Sequence, residues 1–507
     1  MADSGRLNIP LLDDNNRGLL ANVHPAGWHN PEPKPIYNLV VIGAGTAGLV
    51  SAMGAAALGA KVALVERDFM GGDCLNIGCV PSKSLISSAR MAHRMRHAGV
   101  FGLPAVSTGA DAFPAVMERL RRIRRDISTN DSVSRYTAAG VDVFLGSASF
   151  EGPDHISVDG KKLRFRKAVI ATGARAVHPV IEGLDEADFL TNETVFNLTK
   201  LPRRLLVIGG GPLGCELAQA FSRLGSEVFI VQNSRFLPKE DPDASAHLAR
   251  VLEREGIKIR LNAKPVRVIT HQNHKSVLIK TPDGEELIDV DEILLGAGRQ
   301  PNVEGLNLEK AGVNYDSRNG VIVDDFLRTS NTRVYAAGDI CLSHKFTHAA
   351  EASARIAIQN SLFLGRKKLS ALTIPWCTYT DPEIAHVGLY EREADDRRIE
   401  TTTFRIEMNM VDRAVCDSEE EGFIKIIVKK GSDRILGATI VASHAGDMIS
   451  EISVAMSAGS GLERLSRVIH PYPTRAEAIK RAADSYNKTR LTSRLKKILA
   501  WWLHRSI

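Results

Sequence analysis

The chain has 507 residues, 44% of them hydrophobic, which is length enough for about three domains that each bury a core. Its formal charge of +6 is modest and spread along the sequence, with no basic stripe interleaved with aromatics, and this argues against a nucleic-acid partner. Six cysteines, and a first stretch (MADSGRLNIPLLDD) without a basic start and apolar core, argue against secretion and predict a reducing, cytoplasmic setting where a disulfide would be catalytic.

Residues 1–35, with Pro25, Pro31, Pro33 and Pro35, show neither helical nor strand periodicity and predict an extended arm over the surface of the body. YNLVVIGAGTAGLVSAMGAAALGAKVALVER then reads as strand, GxGxxG turn, helix and strand. Gly43, Gly45 and Gly48 allow a tight turn and close approach of a pyrophosphate to a helix N-terminus, and Glu66 stands where a ribose hydroxyl would be bonded. Residues 39–60 form a run of 22 uncharged positions that a hydropathy window would accept as a membrane span. The three glycines at a strand-to-helix turn fit a buried βα unit better.

Next comes GGDCLNIGCVPSK, residues 71–83, with Cys74 and Cys79 five apart. A structural disulfide closing so small a loop would remove little chain entropy. A zinc half-site would want two to four intervening residues and a second ligand pair, which the sequence does not offer. Placed shortly after a dinucleotide fingerprint, the pair reads as a thiol couple beside a bound redox cofactor. Residues 84–140 have a helical pattern, with Val116, Leu120, Ile123 and Ile127 on one stripe. Arg119, Arg121, Arg122, Arg124 and Arg125 of the same segment are expected to form a solvated face rather than a site for an anionic partner.

Short strands follow, the last ending in Ala171, Thr172 and Gly173. At RLLVIGGGPLGCELAQAFSRLGSEVFIV the βαβ grammar repeats, with Gly209, Gly211 and Gly214 as a second fingerprint, so two dinucleotides are expected. The second strand of this unit ends in Gln232, followed by Asn233, Ser234 and Arg235. An acid there would favour NADH and a basic cluster NADPH; Gln232 with one arginine decides neither and inclines the reading only slightly to NADPH. EILLGAGRQPN, with Gly298, and NTRVYAAGDI, with Asp339 beside Gly338, end further strands in glycine. The block from about 370 to 490 carries no cofactor signature and is expected to be an oligomer interface. Cys215, Cys341, Cys377 and Cys416 are isolated in sequence and expected to be packing residues. In KTRLTSRLKKILAWWLHRSI, apolar residues recur at helical spacing among Arg490, Arg494, Lys497 and Arg505. Packing on its own domain is the favoured reading of this tail, and peripheral contact with a membrane interface the alternative.

Taken together, the two fingerprints, GGDCLNIGCVPSK, AAGD and TDPEIAHVG, in that order, resemble the FAD-dependent pyridine nucleotide-disulfide oxidoreductases, the family of glutathione reductase, dihydrolipoyl dehydrogenase and mercuric reductase. NVHP and HPYPT are most similar to mercuric reductase-like members. The resemblance implies an α/β fold of two Rossmann-like domains with a C-terminal α+β dimerisation domain. The corresponding division is an arm at 1–35, an FAD domain at 36–190 and 311–368, an NAD(P) domain at 191–310, a dimerisation domain at 369–488 and a tail at 489–507. It implies FAD at Gly43, Gly45, Gly48, Glu66, Thr172, Gly173 and Asp339, and NAD(P)H at Gly209, Gly211, Gly214, Gln232, Arg235 and Gly298. It also implies a homodimer whose active site the partner's C-terminal domain completes.

By the same resemblance, electrons pass from NAD(P)H through FAD to Cys74 and Cys79. Cys79 is then the thiolate facing the flavin and Cys74 the thiol that attacks the acceptor. Lys83 and Glu216 pair near the flavin ring. Disulfide reductases of this family carry a histidine before a Pro-Thr, backed by a glutamate, as proton donor and acceptor. Here Tyr472 takes the histidine's place and Glu477 the glutamate's. A phenol is a poor base near neutrality but suits a soft metal, and mercuric reductase also has tyrosine there. The resemblance therefore points to Hg(II) held transiently by Cys74 and Cys79 as substrate, although the C-terminal cysteine pair usual in mercuric reductase is missing. A displaced role for His470 keeps a disulfide reductase open, and a redox-sensing flavoprotein is the alternative of another class.

Overall fold

Strands that are apolar on both faces organise the first half of the chain, because a parallel sheet covered on both sides buries every residue. In the computed structural model, which describes residues 9–107, 109–296 and 298–505, Tyr37–Ile42 is the central strand of such a sheet. Val62–Glu66 and Lys161–Ile170 flank it in parallel, with Val40 opposite Ala63 on one side and Ala168 on the other. Val141–Leu145 and Val334–Ala336 extend the parallel part, while an antiparallel hairpin (Ala148–Gly152, His155–Val158) continues the start of Lys161–Ile170. The helix Thr46–Ala57 starts at the first glycine turn. A Cβ on Gly48 would lie 1.8 Å from the Gly43 carbonyl oxygen, so only glycine lets the helix start this close to the strand. Residues 39–60 are thus a buried strand and helix, and no helix among the described residues is long and apolar enough to cross a membrane.

The second fingerprint repeats this construction. Arg204–Ile208, Glu227–Gln232, Lys258–Leu261 and Glu292–Leu295 form a four-stranded parallel sheet, and Pro212–Leu224 is the helix behind the glycine turn. The chain divides into two compact units, one of residues up to His93, Ser107–Ser234 and Gly256–Leu372, the other of Arg94–Val106, Arg235–Glu255 and the residues from Thr373 on. The first holds both fingerprints and the cysteine pair. The second is built on a five-stranded antiparallel sheet in the order Pro375–Thr378, Glu383–Gly388, Ile435–Ala442, Phe423–Lys429, Thr401–Glu407. Helices Ala445–Ser457 and Glu477–Arg490 bury Ile449, Ile452, Ile479 and Ala482 in its core.

Three sequence expectations need correction. The arm is not extended throughout: Asp14–Val23 is a helix, capped by the Asp13 carboxylate, which accepts from Asn16 N at 2.8 Å. Its residues Asn16, Leu19 and Val23 recur at helical spacing and are buried, a short repeat that the flanking prolines obscured. Residues 1–8 of the arm lie outside the described residues. Nor are the arginines of Phe113–Ser128 a solvated face. Arg121 pairs with Asp13 (2.6 Å), Arg125 donates to Asn15 Oδ1 (2.8 Å), and Arg124, only 2% exposed, donates to Asn16 Oδ1 at 2.7 Å and to the Asn76 carbonyl at 2.9 Å. Arg119 reaches Ser84 O at 3.0 Å, which leaves Arg122 exposed. The buried face runs through Phe113, Met117, Leu120 and Arg124, while Ile127 of the predicted stripe is exposed. Third, the tail helix Ser493–Arg505 has no buried residue, so the favoured reading of it as packed on its own domain does not hold.

Arg124 ties the arm to the cysteine loop from a buried position, where its own pKa is lowered to about 10 by burial and by the nearby Arg121 charge, so it stays protonated at neutral pH. Arg124→Ala removes two hydrogen bonds and a buried stem, and should cost about 2–4 kcal/mol. Arg122→Ala should stay within about 0.5 kcal/mol. Denaturant midpoints of the two variants check the difference.

Candidate active site

The cysteine pair is placed by backbone contact. Gly71 and Gly72 both have positive φ, 92° and 56°, and Gly71 N donates to Ala44 O of the first glycine turn at 2.9 Å. A Cβ on Gly72 would lie 2.5 Å from Gly45 Cα, so the cysteine loop rests directly on that turn. The short helix Gly72–Asn76 carries Cys74, and Cys79 opens the helix Cys79–Arg96. Asn76 closes the loop, its amide donating to Met70 O (3.1 Å) and Gly72 O (2.9 Å).

Cys74 and Cys79 are free thiols within hydrogen-bonding reach of each other and titrate as a pair. Cys79 is lowered to about 6, chiefly by the hydrogen bond from Cys74, with help from Thr347 and the Lys83 charge and against burial and Glu216. Its place at a helix N-terminus works in the same direction. Cys74 is pushed up, first by that same hydrogen bond and then by burial. The pair therefore holds one proton near neutrality, with the thiolate on Cys79. Thr347 Oγ1 lies 3.4 Å from Cys79 Sγ. Lys83, one turn on, pairs with Glu216 at 2.7 Å, with Lys83 35% and Glu216 5% exposed.

Two cavities flank the couple. One of about 200 Å3 is lined by Thr46, Gly71, Cys74, Val80, Asp131 and Tyr136, and one of about 370 Å3 by Cys79, Lys83, Ser84, Arg119 and Ile123. Burial raises the pKa of the Asp131 carboxyl in the first.

The residues of the first glycine turn fit a dinucleotide. The turn is bare of side chains, and Glu66 Oε2 accepts from Ala44 N at 2.6 Å, with burial raising its carboxyl to about 7. Asp339 is half-buried, its pKa raised by desolvation, and lies 3.5 Å from Arg299 Nε; Arg299 also pairs with Asp73 and donates to Ala174 O at 2.6 Å. Thr172 and Gly173 are clamped by Asn302, whose amide donates to Thr172 O at 2.9 Å and whose N–H donates to Gly173 O at 3.0 Å. At the second turn Gln232 does what Glu66 does at the first, accepting from Gly210 N at 2.8 Å, and a Cβ on Gly214 would lie 2.0 Å from Gly209 O. Gly298 has φ 122°. Arg235 donates to Glu240 O at 3.2 Å and to Pro238 O, within its own loop.

Tyr472, His470 and Glu477 belong to the second unit. The Tyr472 side chain is 71% exposed, and its hydroxyl donates to Asp412 Oδ2 at 2.7 Å. That bond and the Asp412 charge raise the phenol's pKa. Glu477 does not back it; it pairs with Arg481 at 2.9 Å, one helical turn on, because both start the helix Glu477–Arg490. Both His470 nitrogens are engaged, Nδ1 with Val468 O (3.2 Å) and Nε2 with Glu451 (2.9 Å), and the ring is 7% exposed. Of the cysteines expected to be packing residues, Cys215 is buried and Cys341 and Cys377 are partly buried, but Cys416 is exposed at the end of helix Asp412–Cys416. Sequence reasoning missed Thr347, Asp131 and Asp412, which stand in no local motif, and also Arg299 and Asn302, which lie within the stretch EILLGAGRQPN.

A family profile described as pyridine nucleotide-disulphide oxidoreductase matches residues 37–354, and the profile of that family's dimerisation domain matches residues 374–483. A mercuric reductase of Staphylococcus aureus is 35% identical over 498 residues, 96% of this chain and 91% of its own length. A dihydrolipoyl dehydrogenase of Thermus scotoductus is 35% identical over 466 residues, 89% of this chain and 98% of its own length. Among solved structures, the HOCl-induced flavoprotein disulfide reductase RclA of Escherichia coli superposes with a TM-score of 0.79 at 28% identity, covering 88% of this chain and 99% of that one. RclA has also been solved as a Cu(II) complex.

With FAD bound, the two-electron-reduced protein should show the long-wavelength absorption of a thiolate beside a flavin, and this band should fade as pH falls through about 6, where Cys79 is protonated. Lys83→Met and Thr347→Val each remove a group that lowers the Cys79 pKa, so the midpoint should move to higher pH. Cys79→Ser should lose the band and Cys74→Ser keep it, as a spectrophotometric titration would show.

Proposed function

The chain belongs to the pyridine nucleotide-disulphide oxidoreductases, and from this membership and the chemistry of its side chains we propose that it reduces a thiol-reactive metal ion, with Hg(II) as the acceptor that suits it best. The family's cofactors are FAD and NAD(P)H; bound FAD supplies the two-electron link between nicotinamide and thiols. The net reaction proposed is Hg(II) plus NAD(P)H giving Hg(0), NAD(P)+ and one proton. Cys74 and Cys79 hold the metal as soft sulfur ligands, Lys83 and Glu216 orient the redox helix at the nicotinamide side, and the enzyme works as a cytoplasmic homodimer in which each Tyr472 serves the thiols of the other subunit.

Tyr472 is the observation that carries this reading. Disulfide reduction needs a base that takes and returns protons on substrate sulfur, usually worth about a hundredfold to ten-thousandfold. The Tyr472 hydroxyl donates to Asp412 and is held protonated, so it offers no base and has only its oxygen lone pairs to present to a soft metal, and His470 has both nitrogens occupied. Glu477 is paired to Arg481. A metal ion bound by two sulfurs takes electrons without needing such a base. The names of relatives agree in part: mercuric reductases and a Cu(II) complex of RclA are metal chemistry, whereas the dihydrolipoyl dehydrogenase is a disulfide enzyme and supports the second reading, a lipoamide-type reductase.

A panel of Hg(II), Cu(II), lipoamide and glutathione disulfide, read by NAD(P)H consumption, separates the two. Saturable turnover is expected with Hg(II), with Tyr472→Phe lowering it at least tenfold while flavin reduction stays intact, and Tyr472→His raising disulfide turnover. Efficient lipoamide turnover, indifference to Hg(II) and insensitivity to Tyr472→Phe would sink the metal reading. Gln232 presents an uncharged amide where an acid would select NADH, so NADPH should be accepted by the parent, and Gln232→Glu should shift kcat/KM toward NADH.

A further inference from the structure

The tail lies outside both segments that the family profiles match, 37–354 and 374–483, so the family's shared chemistry gives no reason for it. Its attachment is firm. Helix Glu477–Arg490 buries Ala478, Ile479, Ala482 and Ala483, Arg490 pairs with Glu463 at 2.8 Å, and two residues later the tail helix Ser493–Arg505 begins. At 1.5 Å per residue, its 13 residues extend about 20 Å.

Laid out at 100° per residue, this helix separates into two faces. Ile498, Trp502, Leu495, Leu499 and Leu503 fall within one continuous arc, and each is between 38% and 61% exposed. Arg494, Lys496, Lys497, His504 and Arg505 fall on the remainder together with Trp501, and the Arg505 guanidinium lies 4.3 Å from the Trp501 ring centroid. From residue 485 to 505 there are six Lys and Arg, namely Lys488, Arg490, Arg494, Lys496, Lys497 and Arg505, and no Asp or Glu. A helix kept merely soluble would have acids among its bases. A helix that joins two copies of one chain would set this charge against itself.

We infer that the tail helix docks this enzyme on an anionic lipid surface, its Leu495, Ile498, Leu499, Trp502 and Leu503 arc among the acyl chains and its basic face among the headgroups. Charge complementarity selects the lipid. A cytoplasmic leaflet carries negative headgroups that attract nearby Lys and Arg, each worth about a fivefold gain in binding. The apolar arc adds hydrophobic burial to about 5–10 Å depth, and it includes Trp502, a residue type enriched at membrane interfaces. The helix is too short to span, so it lies in the plane of the surface.

The test uses the full-length holoenzyme with vesicles of phosphatidylcholine containing a third phosphatidylglycerol, and with pure phosphatidylcholine vesicles. Cosedimentation is expected with the first only. It should fall sharply in about 1 M salt, where the Debye length is about 3 Å. A chain truncated after Leu491 should lose it, Leu499→Glu should abolish it, and Lys496→Gln with Lys497→Gln should weaken it about twenty-fivefold. Flavin reduction by NAD(P)H should be unchanged in each variant, and tryptophan emission should shift to the blue on binding only in proteins that keep the tail. Vesicle binding that survives truncation overturns the proposal. So does a truncated chain whose oligomer dissociates in sedimentation analysis, since the arc would then be an interface between copies. Binding to RNA in place of anionic vesicles overturns it as well.

Discussion

The close contact of two backbones, at Gly45 and Gly72, is the constraint from which the site's geometry follows. Any Cβ at position 72 would penetrate the first glycine turn, and both Gly71 and Gly72 adopt backbone angles that other residues rarely take. Because the cysteine loop is seated on that turn, Cys79 starts its helix at a fixed distance from the first dinucleotide site. Lys83 then comes one helical turn further, where it meets Glu216, itself one turn into the helix that begins at the second glycine turn. Two fingerprints about 165 residues apart in sequence are thereby registered to a single pair of sulfurs.

The loop is also held from behind. Arg124 donates to the carbonyl of Asn76, which lies between the two cysteines, and to Asn16 of the arm helix; Met70 N donates to Val23 O of the same helix at 3.1 Å. A segment outside the family profile thus supports the family's most characteristic loop. The five arginines looked like a solvent-facing run because charge is expected outside. Three of them, Arg121, Arg124 and Arg125, face instead a helix of the same chain and its cap, which supply Asp13, Asn15 and Asn16, and no periodicity in either segment announces the other.

What could be read from the sequence is what backbone geometry dictates locally. The two GxGxxG turns and the strand runs around Val40 and Val207 each need particular residues at fixed offsets, and the structure forms all of them. The Lys83–Glu216 pair was legible because each member sits inside such a motif. Thr347 is 268 residues from the sulfur it touches, and Arg299 joins Asp73 to Asp339 across 226 residues of chain on one side. These contacts are made by folding and leave no spacing behind. The misplaced stripe on Phe113–Ser128 has a different cause: the buried face includes Arg124 and Ser128, whose polarity a hydrophobic period reads as solvent.

One proton shared by two sulfurs sets what the couple can do. While Cys74 keeps the proton, Cys79 is a stable thiolate near neutrality, so the electron-rich sulfur is the one that begins the helix beside Lys83. On the proposed reading, in which Cys74 meets the acceptor, selectivity rests on how that sulfur's proton is handled. A disulfide releases a thiolate that must regain a proton every turnover, and the choice of a side chain able to supply it decides the rate. In the second unit, the tyrosine at the family histidine's place is anchored to Asp412 and kept from ionising, and the neighbouring histidine is locked between Val468 and Glu451. Where the resemblance sets a phenol in place of a base, the Asp412 carboxylate makes that phenol a still weaker acid. On the proposed reading, that arrangement suits an acceptor that leaves as a neutral atom better than one that leaves as two thiols.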